Sequence, residues 1–197
     1  GKAISTGGEN VAIGYQALAT EDGHGLNIAI GSEALENLNA GADAYNVAVG
    51  HNAGKNVTTG STNTLIGARA GDALTVGSEN VAIGDLALSA DTQGSRNVAI
   101  GRAALDAQNF TSATNSNNTA IGYDAGSSVT VGVNNVLIGA HAGDALTDAD
   151  FNVAMGFQAL TNDTLGSGST AIGHHALQTQ NFSSATTTYN TAVGYQA

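Results

Sequence analysis

Runs of three apolar residues, each opened by a polar residue and closed by glycine, recur eleven times along the chain, with the consensus Asn-Val-Ala-Ile-Gly. The second position is Val, Ile or Thr and the fourth is Ile, Val or Met, as in Val11 and Ile13, Thr64 and Ile66, and Val153 and Met155. Positions two apart share one face of a strand, and β-branching suits that conformation. The third position is always Ala or Leu and falls on the opposite face. A strand that is apolar on both faces is covered on both. One face is expected to pack inside a coil. The other needs cover that stacked neighbours cannot give, because they lie along the hydrogen-bonding direction. Ala12, Ala82, Ala99, Ala120 and Ala171 are accordingly expected at an interface between chains of a homo-oligomer.

The closing glycines are Gly14, Gly31, Gly50, Gly67, Gly84, Gly101, Gly122, Gly139, Gly156, Gly173 and Gly194. The step from Gly14 to Gly31 recurs throughout, except for wider steps into Gly50, Gly122 and Gly194. Self-similarity at a short fixed period marks a solenoid, in which a repeat buries its apolar face only against its neighbours. The expected architecture is all-β: a parallel β-solenoid of about eleven coils, with residues 1–197 forming one repetitive domain. Asn10, Ile13, Gly14, Asn80, Ile83, Gly84, Asn152 and Gly156 typify the structural repeat. The Asn that opens every motif except the one at Ser169 is expected to stack in a ladder of side-chain amides. The closing Gly reads as a turn or a point of close approach. The Gly-x-x-Ala-Leu stretch that follows, such as Gly14 to Leu18, reads as a second strand.

Two longer patterns overlie the coils. Ala stands three residues after each motif glycine, and the next residue runs in pairs: Leu18 and Leu35, Gly54 and Gly71, Leu88 and Leu105, Gly126 and Gly143, Leu160 and Leu177. A longer period carries 46–122 onto 118–194, and each of these two units contains one lengthened coil, ending at Gly122 and at Gly194. The segment inserted in that coil spans 108–114 in one unit and 180–186 in the other. Insertions in repeats map to surface loops on one face, so Asn109, Phe110, Asn181 and Phe182 are candidate surface-binding residues. The alternative is that both phenylalanines fold back over an apolar edge. Writing Gly1 after Ala197 continues the coil pattern in register and makes the step from Gly194 to Gly14 equal to that from Gly14 to Gly31. Coils are therefore expected to continue head to tail at both ends, either within a longer repetitive chain or between stacked subunits.

Composition narrows the chemistry. A formal net charge of −11 with only five Lys and Arg opposes binding to nucleic acid or anionic membranes. No apolar run approaches the ~18 residues of a membrane span. Proline, which would remove ladder donors, is absent, and so is cysteine. The histidines (His24, His51, His141, His174 and His175) do not recur with carboxylate partners, and His174 and His175 would point to opposite faces of a strand. Neither metal nor cofactor is expected. No Ser-His-Asp set, paired carboxylates or phosphate loop has a supporting context, so no catalytic residue is assigned. Sequons such as Asn56-Val-Thr58 are expected by chance in a chain this rich in Asn and Thr. The Thr column (Thr64, Thr119, Thr170, Thr191) is interrupted by Val, unlike the unbroken Thr rank of an ice-binding face.

Asn-Val-Ala-Ile-Gly with its downstream Ala resembles the YadA-like head repeat of trimeric autotransporter adhesins. The Gly-Tyr-Gln-Ala-Leu form at 14–18 is similar to repeats of bacterial surface fibres and phage tail fibres. The resemblance covers essentially the whole chain. It implies a left-handed parallel β-roll, three chains around one axis, an extracellular or virion location and a role in surface fibres or attachment. The linkers here are longer than in compact adhesin coils, and no coiled-coil stalk or membrane barrel lies within these residues. Two functions follow as expectations. One is a non-enzymatic filament module that extends by head-to-tail stacking. The other is an adhesin or tail-fibre segment that binds a host-surface protein or glycan through its loops.

Overall fold

A computed structural model describes residues 7–21 and 23–197. Gly1, on which the expected junction with Ala197 turns, lies outside them. Among the described residues the strands are β1 (Val11–Ile13), β2 (Ile28–Ile30), β3 (Val47–Val49), β4 (Thr64–Ile66), β5 (Val81–Ile83), β6 (Gly94–Ser95), β7 (Val98–Ile100), β8 (Thr114–Asn115), β9 (Thr119–Ile121), β10 (Val136–Ile138), β11 (Val153–Met155), β12 (Gly166–Ser167), β13 (Thr170–Ile172), β14 (Thr186–Thr187) and β15 (Thr191–Val193). The eleven motif strands form one parallel sheet in the order β1-β2-β3-β4-β5-β7-β9-β10-β11-β13-β15. Equivalent residues face each other, as in Ala82 opposite Ala99 and Ala99 opposite Ala120. The fold is a parallel β-solenoid of about eleven turns. Ten inter-strand steps of about 4.8 Å make the sheet about 48 Å long.

The Asn ladder forms as expected. Asn63 donates from its backbone amide (2.9 Å) and from Nδ2 (3.2 Å) to Asn46 Oδ1, and Nδ2 also donates to the Gly77 carbonyl at 3.0 Å. Asn80 repeats this on Asn63, and Asn97 donates in the same way to Asn80 Oδ1. These asparagines are fully buried, and every one of these bonds to an Asn Oδ1 ties one coil to the next. The motif glycine is a point of close approach. A Cβ on Gly84 (φ +134°) would sit 2.5 Å from the Gly101 carbonyl oxygen of the next coil.

Two expectations change. First, Gly-x-x-Ala-Leu is a turn and not a strand. Its third and fifth residues are left-handed, as at Gln16 (φ 54°) and Leu18 (φ 48°), whereas a strand needs φ near −120°. Coil-to-coil bonding nevertheless continues through it: Glu33 N donates to Tyr15 O at 2.7 Å, and Leu18 N donates to Ala34 O at 3.1 Å. A left-handed Leu costs about 1–2 kcal/mol. Packing and these bonds sustain it.

Second, the two faces of the motif are the reverse of the expected interface assignment. Ala82, Ala99, Ala120 and Ala171 are fully buried within the single chain, and Ala12 packs against the same core from the first coil. They are core residues and not oligomer contacts. The Val/Thr and Ile/Val/Met columns face outward. The reason is room: the turn leucines already occupy the interior, so only a methyl fits opposite them.

The paired Leu and Gly are explained by the same limit. Leu65 and Leu137 are the only motif residues larger than Ala at the inward position. A Cβ on Gly54 would lie 2.6 Å from Leu65 Cδ1, and one on Gly71 would lie 2.8 Å from Leu65 Cδ2. Gly126 and Gly143 meet Leu137 identically, at 2.6 and 2.8 Å. One strand leucine thus fills the space vacated by two turn leucines.

Candidate interaction surfaces

The outward face of the sheet carries two columns of side chains, one led by Val11 and the other by Ile13. Every one of these positions is Val, Ile, Thr or Met, and none is charged. Ile28, Ile66, Met155 and Ile172 are 37–39% exposed, while Ile13 and Val193, on the terminal strands, reach 58% and 67%. The result is an unbroken uncharged and largely apolar ribbon along the rod. About 48 Å of length and 7–10 Å of width give an area on the order of 400 Å², a size that marks contact sites on soluble proteins.

Beside the ribbon runs a ridge formed by the two residues after each motif glycine. Its C-terminal half is aromatic. Tyr123 and His141 meet edge to face at 5.3 Å, Phe157 stacks on His174 at 5.3 Å, and His174 stacks on Tyr195 at 5.2 Å. Arg102 lies 5.5 Å over the Tyr123 ring. His174 and His175 stack on each other at 4.0 Å instead of pointing to opposite faces, because they sit in the left-handed turn and not in a strand. Among the described residues, no three His, Cys, Asp or Glu side chains come together as a metal site.

The inserted loops do not offer their phenylalanines. Phe110 is 6% exposed and Phe182 is half-buried, while Asn109 and Asn181 are exposed. The surface-binding assignment of Phe110 is therefore corrected to a core role, and Phe182 takes the same fold-back geometry. The cause is a buried carboxylate that was not among the sequence-based candidates. Asp91 Oδ1 accepts from the amides of Gly94 (2.9 Å) and Phe110 (3.1 Å). Its Oδ2 accepts from Gln108 Nε2 at 2.6 Å, and Gln108 Oε1 accepts from Asn118 Nδ2 at 2.8 Å. Asp163 and Gln180 repeat the set on Gly166, Phe182 and Asn190. The signal was available, because the longer period carries Asp91 and Gln108 onto Asp163 and Gln180. The backbone of the insertions pairs through β8 on β6 and β14 on β12.

Glu21 is a degenerate copy of this arrangement. It is fully buried, its Oε1 accepts from the His24 amide at 3.1 Å, and its Oε2 has no hydrogen-bond partner among the described residues. Leu38 stands where Gln108 stands in the complete version. On the surface, Lys55 bridges Glu33 and Glu36, and its hydrogen bond to Glu33 is the main cause raising the ammonium above its ordinary value.

A cavity of about 360 Å³ opens at a third place, the corner five residues before the motif glycine. It is lined by Asp150, Phe151, Ser167, Gly168, Thr187 and Tyr189. Phe151 and Tyr189 are among the most exposed apolar residues of the chain, at 63% and 79%.

No family model, no characterised protein and no solved structure matches this chain.

Proposed function

We propose that the chain is a non-enzymatic structural module of an extracellular filament or surface fibre. In this reading, coils stack head to tail along the rod and copies of the chain pack side by side through the apolar ribbon. The observation that carries it is the ribbon itself: a full-length, uncharged, largely β-branched face that no part of the described chain covers. Burying apolar surface is worth about 25 cal/mol per Å², so ~400 Å² on each of two copies corresponds to a gross ~20 kcal/mol. Association entropy and side-chain ordering remove much of that. Three such faces around one axis would give the trimer that the motif resemblance implies.

Among the described residues β1 and β15 are the edge strands of the sheet, each paired on one side only. Gly194 also has open space where every other motif glycine meets the carbonyl of a following coil: a Cβ there would find nothing closer than 3.8 Å.

The test separates the two faces. Ile83→Glu with Ile100→Glu places charge on the ribbon without touching the core, and is expected to yield folded single chains in sedimentation. Ala82→Glu places the charge inside, and is expected to unfold its coil. An Ile83→Glu/Ile100→Glu variant that sediments like the wild type would overturn the ribbon interface. Receptor recognition, the other function considered, loses its loop phenylalanines to the fold-back geometry.

A further inference from the structure

The two long-period units share one backbone at the corner where the cavity opens, yet their side chains there differ. In the second unit the three successive corner residues are Phe151, Gly168 and Tyr189; in the first they are Glu79, Arg96 and Asn117. All six are left-handed, with φ of 57°, 78° and 51° against 60°, 64° and 51°. The bonds that hold the corner are also the same. Arg96 N donates to Ser78 O at 3.0 Å and Gly168 N to Asp150 O at 2.9 Å. Ser78 N donates to Ser95 Oγ and Asp150 N to Ser167 Oγ, both at 3.0 Å. The cavity therefore arises from side chains alone.

The first unit shows what fills this space. There the guanidinium of Arg96 lies along the surface, with Nε 3.2 Å from Glu79 Oε2. In the second unit Gly168 removes that side chain, and the acid moves one residue back to Asp150. Asp150 Oδ1 accepts from the Val133 amide at 2.8 Å, which leaves Oδ2 without a hydrogen bond among the described residues. Phe151 and Tyr189 stand one coil below and one coil above Gly168, their backbones about 9.5 Å apart along the axis, so a cation over Gly168 is within the ~6 Å cation–π reach of a ring projecting from either coil. A Cβ at 168 would lie 3.2 Å from Tyr189 Cδ1, so a side chain there would close the slot.

The geometry points to a binding site for a guanidinium group: the exposed arginine side chain of a partner protein, held between Phe151 and Tyr189 with its charge on Asp150. Arginine is the cation that combines ring stacking with carboxylate pairing. The chain already uses the same contact at Arg102 over Tyr123. A net charge of −11 draws such partners toward the rod. The inference does not depend on the fibre reading.

Saturation-transfer difference NMR on the full chain tests it, with N-acetyl-arginine amide as the probe and the citrulline analogue as its neutral, equally flat counterpart. Signal is expected on the arginine side-chain methylenes, with citrulline binding about tenfold more weakly. Asp150→Asn is expected to bring arginine down to the citrulline level. Gly168→Arg is expected to abolish binding with only a modest fall in melting temperature, since Arg96 already adopts this left-handed conformation in the first unit and only the exposed Tyr189 ring has to give way. Equal binding of the two probes, retention of arginine binding in Gly168→Arg, or a response only to a neutral saccharide such as methyl glucoside would each overturn the assignment.

Discussion

Exchanging the sizes of Leu65 and Gly71 probes the packing rule of the core. Leu65→Ala removes three carbons from a fully buried site and is expected to destabilise by about 3–4 kcal/mol. Gly71→Leu drives a side chain into Leu65 Cδ2 and Leu74 Cδ1, which a Cβ alone would approach to 2.8 and 2.9 Å. Overpacking of this kind costs about 1–3 kcal/mol and the left-handed backbone about 1 kcal/mol more, roughly 3 kcal/mol together. Independent effects would sum to roughly 6–7 kcal/mol. The double variant, however, rebuilds an arrangement the chain already contains: Leu35 beside Leu38, with Ala29 and Ala48 on the adjoining strands, all fully buried. It is therefore expected to lose only about 2–3 kcal/mol, a favourable coupling of roughly 4 kcal/mol. Solenoids need not unfold in one step, so the assay is amide hydrogen exchange at coil resolution, supported by urea midpoints. Additivity within about 0.5 kcal/mol would refute the size exchange.

Other substitutions test separate parts of the account. Gly84→Ala and Gly194→Ala share nearly the same strained φ (+134° and +135°), but only Gly84 faces a carbonyl at 2.5 Å. Gly84→Ala should lower the melting temperature clearly more, and equal losses would show that conformation alone requires glycine. Gln108→Leu copies the Glu21 and Leu38 pair, leaves Asp91 Oδ2 unpartnered, and should destabilise by about 1–3 kcal/mol in urea unfolding; no loss would mean that the buried carboxylate needs only its backbone donors. Asp72 is half-buried, and desolvation raises its carboxyl above the ordinary value of 3.8. A raised carboxylate gives a penalty that is absent below about pH 3.8, grows as pH rises through the folded-state value, and is constant at neutrality. Asp72→Asn should therefore gain stability at pH 7 relative to wild type and show no such gain at pH 3, as read from melting curves; the opposite trend would contradict the burial argument.

Much of the fold was legible because each coil repeats the same physical problem. The glycine period, the buried Asn ladder and the close approach at Gly84 all follow from residues that recur in register. Which face of Val-Ala-Ile turns inward was not legible from polarity, since both faces are apolar. Size decides it: Leu18 and Leu35 fill the interior, leaving room for Ala12 and Ala29 but not for Val or Ile. Their inward position depends in turn on left-handed φ at Leu18 and Leu35, a conformation that leucine propensity argues against. The same blind spot misplaced His174 and His175. Sequence alone leaves Phe110 open between a surface-binding loop and a fold-back over an apolar edge, because its captor, Asp91, lies 19 positions earlier, and only the long-period recurrence of Asp and Gln marks the pair.

The measurement that bears most directly on the central claim is the solution mass of the 197-residue chain, by chromatography with light scattering over a wide concentration range. Self-association through the apolar ribbon predicts multiples of 19.4 kDa, a discrete trimer if packing is lateral and a concentration-dependent series of larger particles if coils also stack end to end. A species of 19.4 kDa at every concentration would contradict it.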